Sequence, residues 1–275
     1  MKLLLKGYTL LICLVIMSII SLFVGVSQLS ITDIFHLTKE QLNILLSSRI
    51  PRTVSILISG STLALAGLIM QQMMQNKFVS PTTAGTMEWA KLGILISLVC
   101  FPQGHILLKL AFAVLCSLFG TFLFVKLIEM IRVKEVIFVP LLGIMLGGIV
   151  SSFTTFIALR TNAVQSIGNW LNGNFAIITS GRYEILYLSI PLLIITYIFA
   201  NHFTIAGMGK DFSHNLGVNY EQIVRIALFI TASITALVVV TVGTLPFLGL
   251  IVPNIISIYR GDHLKNALPL SLIHI

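Results

Sequence analysis

Eight apolar runs follow one another along this chain, separated by short polar segments, and that rhythm restricts the possible folds more than any other feature. They lie at 8–28, 50–74, 90–103, 106–128, 136–159, 185–200, 223–243 and 246–259, and a ninth begins near residue 267. Inside hydrocarbon no water serves an unpaired backbone N–H or C=O, so a crossing segment must be a helix or part of a closed barrel. No alternating ten-residue barrel pattern occurs, and the prediction is an all-α, polytopic transmembrane helical bundle. The runs at 90–103, 185–200 and 246–259 fall short of the roughly 20 residues that a straight crossing needs. Tilted or broken helices, or continuation into the flanking segments, are expected there. Composition closes the soluble alternative: with 57% hydrophobic and only 9% charged residues in 275, too few charges exist to coat a water-soluble globule.

Basic residues outnumber acidic ones by 17 to 9, yet they are scattered between apolar runs, with no Lys/Arg cluster interleaved with aromatics. The charge therefore reads as topology and not as a nucleic-acid footprint. With the N-terminus on the cytoplasmic side, Lys2, Lys6, Lys77, Lys91, Lys126, Arg132, Lys134, Lys210, Arg225, Arg260 and Lys265 fall inside, eleven of the 17, which favours that orientation. The stretch from Tyr8 to about Val26 is long enough to cross, and Val24-Gly25-Val26-Ser27 offers no A-x-A cleavage site, so it reads as a first span and not a signal peptide. Cys13, Cys100 and Cys116 lie inside apolar runs without metal or disulfide spacing. No linker, low-complexity tract or short repeat divides the chain, so residues 1–275 form one transmembrane domain.

Catalytic constellations are missing from the sequence. No H-E-x-x-H, G-x-S-x-G or G-x-x-x-x-G-K-[ST] occurs, and Gly207-Met208-Gly209-Lys210 is followed by Asp211 without Walker spacing. The six histidines, at 36, 105, 202, 214, 263 and 274, pair with nothing at ligand spacing, so neither a metal nor a cofactor is expected. An ion-coupled transporter would need acids near the bilayer midplane. Asp33, Glu40, Glu88, Glu129, Glu135, Glu184, Asp211, Glu221 and Asp262 all stand in loops or at span ends.

The second span opens Arg49-Ile50-Pro51-Arg52, and Pro in a first helical turn predicts that the crossing begins there. Arg49 and Arg52, three apart, share one side of that end. They suit either paired capture of carboxylates on a soluble partner or anchoring to lipid phosphates. Gly60, Ala64, Gly67 and Gln71 share a face, which serves close helix packing or lines a pathway. The segment Gln75 to Gly85, with one Pro and one Gly, reads as an ordered turn.

Here a resemblance enters. Arg49-Ile50-Pro51-Arg52 leading into Gly60, Ala64, Gly67, Gln71, Asn76, Pro81 and Gly85 resembles the opening of the FecCD family, permease subunits of bacterial ABC importers for iron-siderophores, haem and cobalamin. Gly243-Thr244-Leu245-Pro246-Phe247-Leu248-Gly249-Leu250-Ile251-Val252-Pro253-Asn254-Ile255, followed by Arg260-Gly261-Asp262-His263, resembles the family's later signature. Three places depart from its usual pattern: Lys77 stands for Pro, Met87-Glu88-Trp89-Ala90 for a Ser-Ser-Gly-Ala type segment, and Asn254 for His. The versions around residues 76–86 and 258–262 are similar to the Gram-positive branch that imports petrobactin-type catecholate siderophores. The resemblance implies ten helices per subunit, of which eight or nine are visible, so the C-terminal helices are expected to lie beyond residue 275. It also implies a second permease subunit (homo- or heterodimer), cytoplasmic ATPase subunits, an extracytoplasmic substrate-binding lipoprotein docked at Arg49 and Arg52, and a ferric siderophore as cargo.

In Ala206 to Asn219, Gly217 reads as a helix stop, and Asn219 with Gln222 as a capping box for the next helix. The segment resembles the family's coupling element, which would assign ATPase contact to Gly207, Gly209, Lys210, Asp211, His214, Leu216 and Gly217. Ser166 to Gly173 resembles the family's W-x-x-G stretch, although interfacial anchoring alone would also explain Trp170. Gly143, Gly147, Gly148, Ser151 and Ser152 form a small, weakly polar stripe on the fifth span. By the resemblance, the fifth span lines the translocation path, through Gly148, Ser151 and Ser152, and the face read above would add Gly67 and Gln71; packing alone would also explain either group.

Overall fold

A computed structural model describes residues 7–24, 38–131 and 136–261. Lys2, Lys6, Asp33, His36, Arg132, Lys134, Glu135, the Asp262-His263 pair, Lys265 and the stretch from Ala267 onward lie outside the described residues. Every predicted span falls on a helix: α1 (Gly7–Phe23), α3 (Ile50–Met73), α4 (Thr86–Cys100), α5 (Ile106–Met130), α6 (Phe138–Arg160), α8 (Ser189–Ala206), α10 (Tyr220–Thr241) and α11 (Leu248–Arg260). Three shorter helices accompany them, α2 (Lys39–Ile44), α7 (Val164–Leu171) and α9 (Lys210–Asn215). The described residues contain no strand. Five helical segments are long and apolar enough to cross a membrane.

The three short runs resolve differently. The sixth is extended by a 3-10 segment into a continuous helical stretch from Tyr183 to Ala206. The third remains 15 residues long. The eighth, 13 residues, is a half-helix. Its start packs against the middle of α3, because a Cβ on Gly67 would overlap the Gly249 carbonyl and a Cβ on Gly249 would meet that of Leu63. Val242 and Gly243 N–H still donate back to Val238 and Val239, and the chain then runs irregularly to α11, held by Gly173 N–H on the Thr244 carbonyl at 2.8 Å and Asn174 N–H on the Val242 carbonyl at 3.0 Å.

The helix that contains the second crossing starts before Pro51. Thr38 caps α2 in a reciprocal capping box with Gln41, and α2 continues through one π turn, Leu45–Arg49, into α3. Pro51 lacks the N–H that would serve the Ser47 carbonyl one turn earlier. Ser180 N–H donates to that carbonyl instead, at 3.0 Å. The result is a helical rod of 35 residues, Lys39–Met73.

α3 and α10 are buried on most sides, whereas α5, α6 and α8 keep much of their apolar surface open. Around α3 and α10 the core divides. One cluster joins α3, α8, α10 and α11 through Leu65, Ile69, Phe203, Ile230 and Val252. A second joins α3, α4, α5 and α10 to Trp170, Ile178 and Leu186. Polar residues within the spans bond locally, as in Ser61 and Thr62 to the carbonyls of Leu57 and Ile58, both at 2.7 Å. The described acids Glu40, Glu88, Asp211 and Glu221 occupy first helical turns, where the helix dipole favours them.

Candidate functional site: two ends of one rod

Where α3 begins on the rod, Arg49 and Arg52 do share a side, as their spacing predicts, and both reach the C-terminal end of α1. Arg52 Nη2 donates to the carbonyls of Ser21 (2.9 Å) and Val24 (2.7 Å), and Arg49 Nη1 also donates to Val24. The last carbonyls of a helix have no partner within it and carry partial negative charge. Two guanidinium groups are a physical answer to both. Arg49 is buried and Arg52 half-buried, so a carboxylate from another protein would share these donors with α1.

α10 ends in the same manner. The Val240 carbonyl accepts from Trp170 Nε1 at 2.9 Å and from Arg182 Nη2 at 3.4 Å. Lys109 Nζ and the Arg182 guanidinium stand 5.9 and 6.0 Å from the Trp170 ring centroid, within cation–π range. Burial lowers the Arg182 pKa from its ordinary value. Trp170 is buried, so it is a structural pin and does more than anchor an interface.

At the opposite end the Gln75–Gly85 turn is ordered, as its composition predicts. Asn76 Nδ2 donates to the Val136 carbonyl (2.7 Å), and Ser80 N–H to Thr83 Oγ1 (2.8 Å). Two of the departures from the family pattern meet here: Asn254 Nδ2 donates to the Lys77 carbonyl at 2.9 Å, while Lys77 Nζ reaches Ser257 Oγ at 2.6 Å. The third is absorbed by its neighbours. Trp89 packs edge-on against Phe119 and occupies the space that a side chain at Gly120 would need, and Glu88 pairs with buried Lys91 at 2.7 Å.

The segment after α8 makes a tight reversal. Gly209 (φ +108°) and Gly217 (φ +72°) adopt backbone angles that favour glycine. Val218 N–H to Ser213 O and Gly217 N–H to His214 O close α9 with the double bond of a Schellman stop. Asn219 caps α10 by accepting from Gln222 N–H at 3.1 Å, one half of the expected box. Lys210 pairs with Glu221 at 3.2 Å, tying α9 to α10. Apart from Ser213, α9 is exposed. Met208, Phe212 and Leu216, four residues apart, stand open on this end. Met208 and Phe212 were not singled out from the sequence, though their i, i+4 spacing with Leu216 is visible there.

The proposed path residues fall into two groups that are not brought together. Gly67 and Gln71 are interior: Gly67 meets the Gly249 carbonyl, which Pro253 leaves without its helical donor, and Gln71 Nε2 donates to Lys77 O at 2.9 Å and Leu250 O at 3.4 Å. On α6, Gly143 and Gly147 pack on the turn at Thr83–Gly85. Gly148 has nothing within 4 Å of a Cβ, Ser151 is half-buried, and exposed Ser152 bonds back to the Gly148 carbonyl at 2.9 Å. The predicted stripe is thus split between a packing face and an open face. No group of three His, Cys, Asp or Glu among the described residues is placed to hold a metal.

The described residues form a polytopic helical bundle with a short exposed helix, α9, at one end. Residues 13–274 match the FecCD transport family. The chain belongs to that family, and it is the membrane permease subunit of an ABC importer, not an enzyme. It is 54% identical to the petrobactin import system permease protein YclN of Bacillus subtilis, covering 94% of this chain and 82% of the relative. Identity is 39% to the petrobactin import permease FatD of Bacillus anthracis (94% and 75% covered) and 36% to the ferric-anguibactin transport permease FatD of Vibrio anguillarum (91% and 80%). Its fold superposes with a TM-score of 0.81 on an inward-facing metal-chelate type ABC transporter, at 23% identity, over 98% of this chain and 85% of that one. Membership in such importers brings ATPase subunits, a substrate-binding protein and a permease dimer as partners.

Proposed function

We propose that this permease carries a ferric siderophore of the petrobactin type into the cytoplasm, with its N-terminus on the cytoplasmic side. The observation that carries the cargo is the 54% identity to a petrobactin permease across both signature regions. Iron arrives wrapped by its chelator, so the permease needs no ligand set of its own. The Arg49–Arg52 end faces outward and receives acidic side chains of a substrate-binding lipoprotein; the α9 end faces the ATPase. Met208, Phe212 and Leu216, exposed on that end, supply the apolar contact, and Gly207, Gly209, Lys210, Asp211, His214 and Gly217 shape or flank it. Nucleotide-driven movement there alternates the side to which the permease dimer opens, with the open α6 face at Gly148, Ser151 and Ser152 along the path.

The test is uptake into proteoliposomes holding the permease pair, ATPase and binding protein. Ferric petrobactin accumulates in a vanadate-sensitive manner, whereas haem and cobalamin do not; uptake of either of those instead reassigns the cargo. Arg52→Glu weakens docking of the binding protein by about tenfold, as expected when a charge-assisted contact becomes a repulsive one. An unchanged docking constant assigns Arg52 to capping α1 alone.

A further inference from the structure

Two glutamines close the inner end of α3, Gln72 in its last turn and Gln75 just beyond it. Gln75 has a φ of +49°, and its N–H donates to the Gln72 carbonyl at 3.3 Å. Both meet the strap Gly207-Met208-Gly209 that joins α8 to α9. A Cβ on Gly207 would overlap the Gln72 carboxamide, and one on Gly209 would lie 3.3 Å from Gln75 Nε2. Gln72 Nε2 also reaches the Thr204 carbonyl in the last turn of α8, at 3.5 Å. Gly207 has an ordinary helical φ of −64°. Its backbone makes no demand for glycine, and the three atoms nearest to a Cβ there all belong to Gln72. Gln71 turns the other way, to Lys77 and Leu250. Around these amides lies a cavity of about 390 Å³ lined by Gln71, Gln72, Gln75, Lys77, Gly207 and Ser257 among others, so the joint is not surrounded by bulk core on every side.

We infer that Gln72 and Gln75 are positioning residues that clasp the glycine strap and join the coupling helix α9 to the rod Lys39–Met73, so that the two shift as one body. Arg49 and Arg52 stand on the same rod, Arg49 about 36 Å from Met73 at 1.5 Å per residue. Arrival of a loaded binding protein at those arginines is thereby felt by the ATPase through a single helix, without relay across the α3–α10 core. This deepens the coupling reading given for α9 and rests on it.

The experiment uses the whole importer in proteoliposomes and reads the ratio of ATP hydrolysis with loaded binding protein to hydrolysis without it. Gly207→Ala drives a methyl into the Gln72 amide, and the ratio falls about fivefold or more, the lower range of allosteric couplings. Gln72→Ala alone also lowers the ratio, and the Gly207→Ala/Gln72→Ala double variant falls no further than Gly207→Ala, because both changes open the same contact. Losses that add in full overturn the clasp. Should Gly207→Ala fail to assemble, the Gln72→Ala/Gln75→Ala pair is read instead; a fall in its ratio supports the clasp and a wild-type ratio overturns it. The underlying reading has a separate readout, because Phe212→Asp should release the ATPase from the purified complex. Retention of the ATPase by that variant removes the coupling assignment, whereas retention of stimulation by the clasp variants removes only the clasp.

Discussion

At the scale of single residues, glycine means two opposite things in this chain. Gly67 lies where two helix backbones touch, so Gly67→Ala must push α11 from α3 and should cost about 2–3 kcal/mol by overpacking. Gly148, with open space at its Cβ, should accept Ala or Leu with no loss of subunit stability. Thermal unfolding in detergent separates the two, and reduced uptake by a stable Gly148→Leu importer would then locate the path or the dimer contact at that face. Sequence spacing could group Gly67 with Gln71 and Gly148 with Ser152, because helical periodicity is local. It could not say which group faced inward, since the deciding atom at Gly67 belongs to Gly249, 182 positions later. Lys77 and Asn254 carry the same lesson: two departures from a family pattern, seen apart in the sequence, are one hydrogen-bonded contact in the fold.

Elements were legible where hydropathy alone specified them, and their ends were not. All eight runs became helices, and proline sits in the first turn of α3 as it commonly does, yet the helical rod that contains the second crossing starts earlier. That start is written in Thr38 and Gln41, a capping box that the sequence analysis did not use. The Ser47 carbonyl that Pro51 cannot serve takes the distant N–H of Ser180. Helix ends in this protein are closed by side chains from elsewhere, Arg49 and Arg52 on α1 and Trp170 with Arg182 on α10. Trp170→Phe keeps the ring and removes the donor. It should destabilise the permease by about 1–2 kcal/mol, the usual effect of a lost buried hydrogen bond, measurable as a lower unfolding temperature.

For the molecule as a whole, burial follows two helices, α3 and α10, and leaves the periphery apolar and open, the arrangement of a subunit that meets lipid and partners on most sides. The six described acids all stand near helix ends, so none of them is placed for a proton relay at mid-span. The permease pair reconstituted without its ATPase should therefore accumulate no siderophore under an imposed proton gradient; accumulation there would contradict an energy source outside this chain. The bond from Ser180 N–H to the Ser47 carbonyl, one turn before Pro51, also joins segments made far apart in time. A ribosome delivers the second crossing some 130 residues before that amide. The helix around Pro51 thus gains this partner only once the later segment has been made.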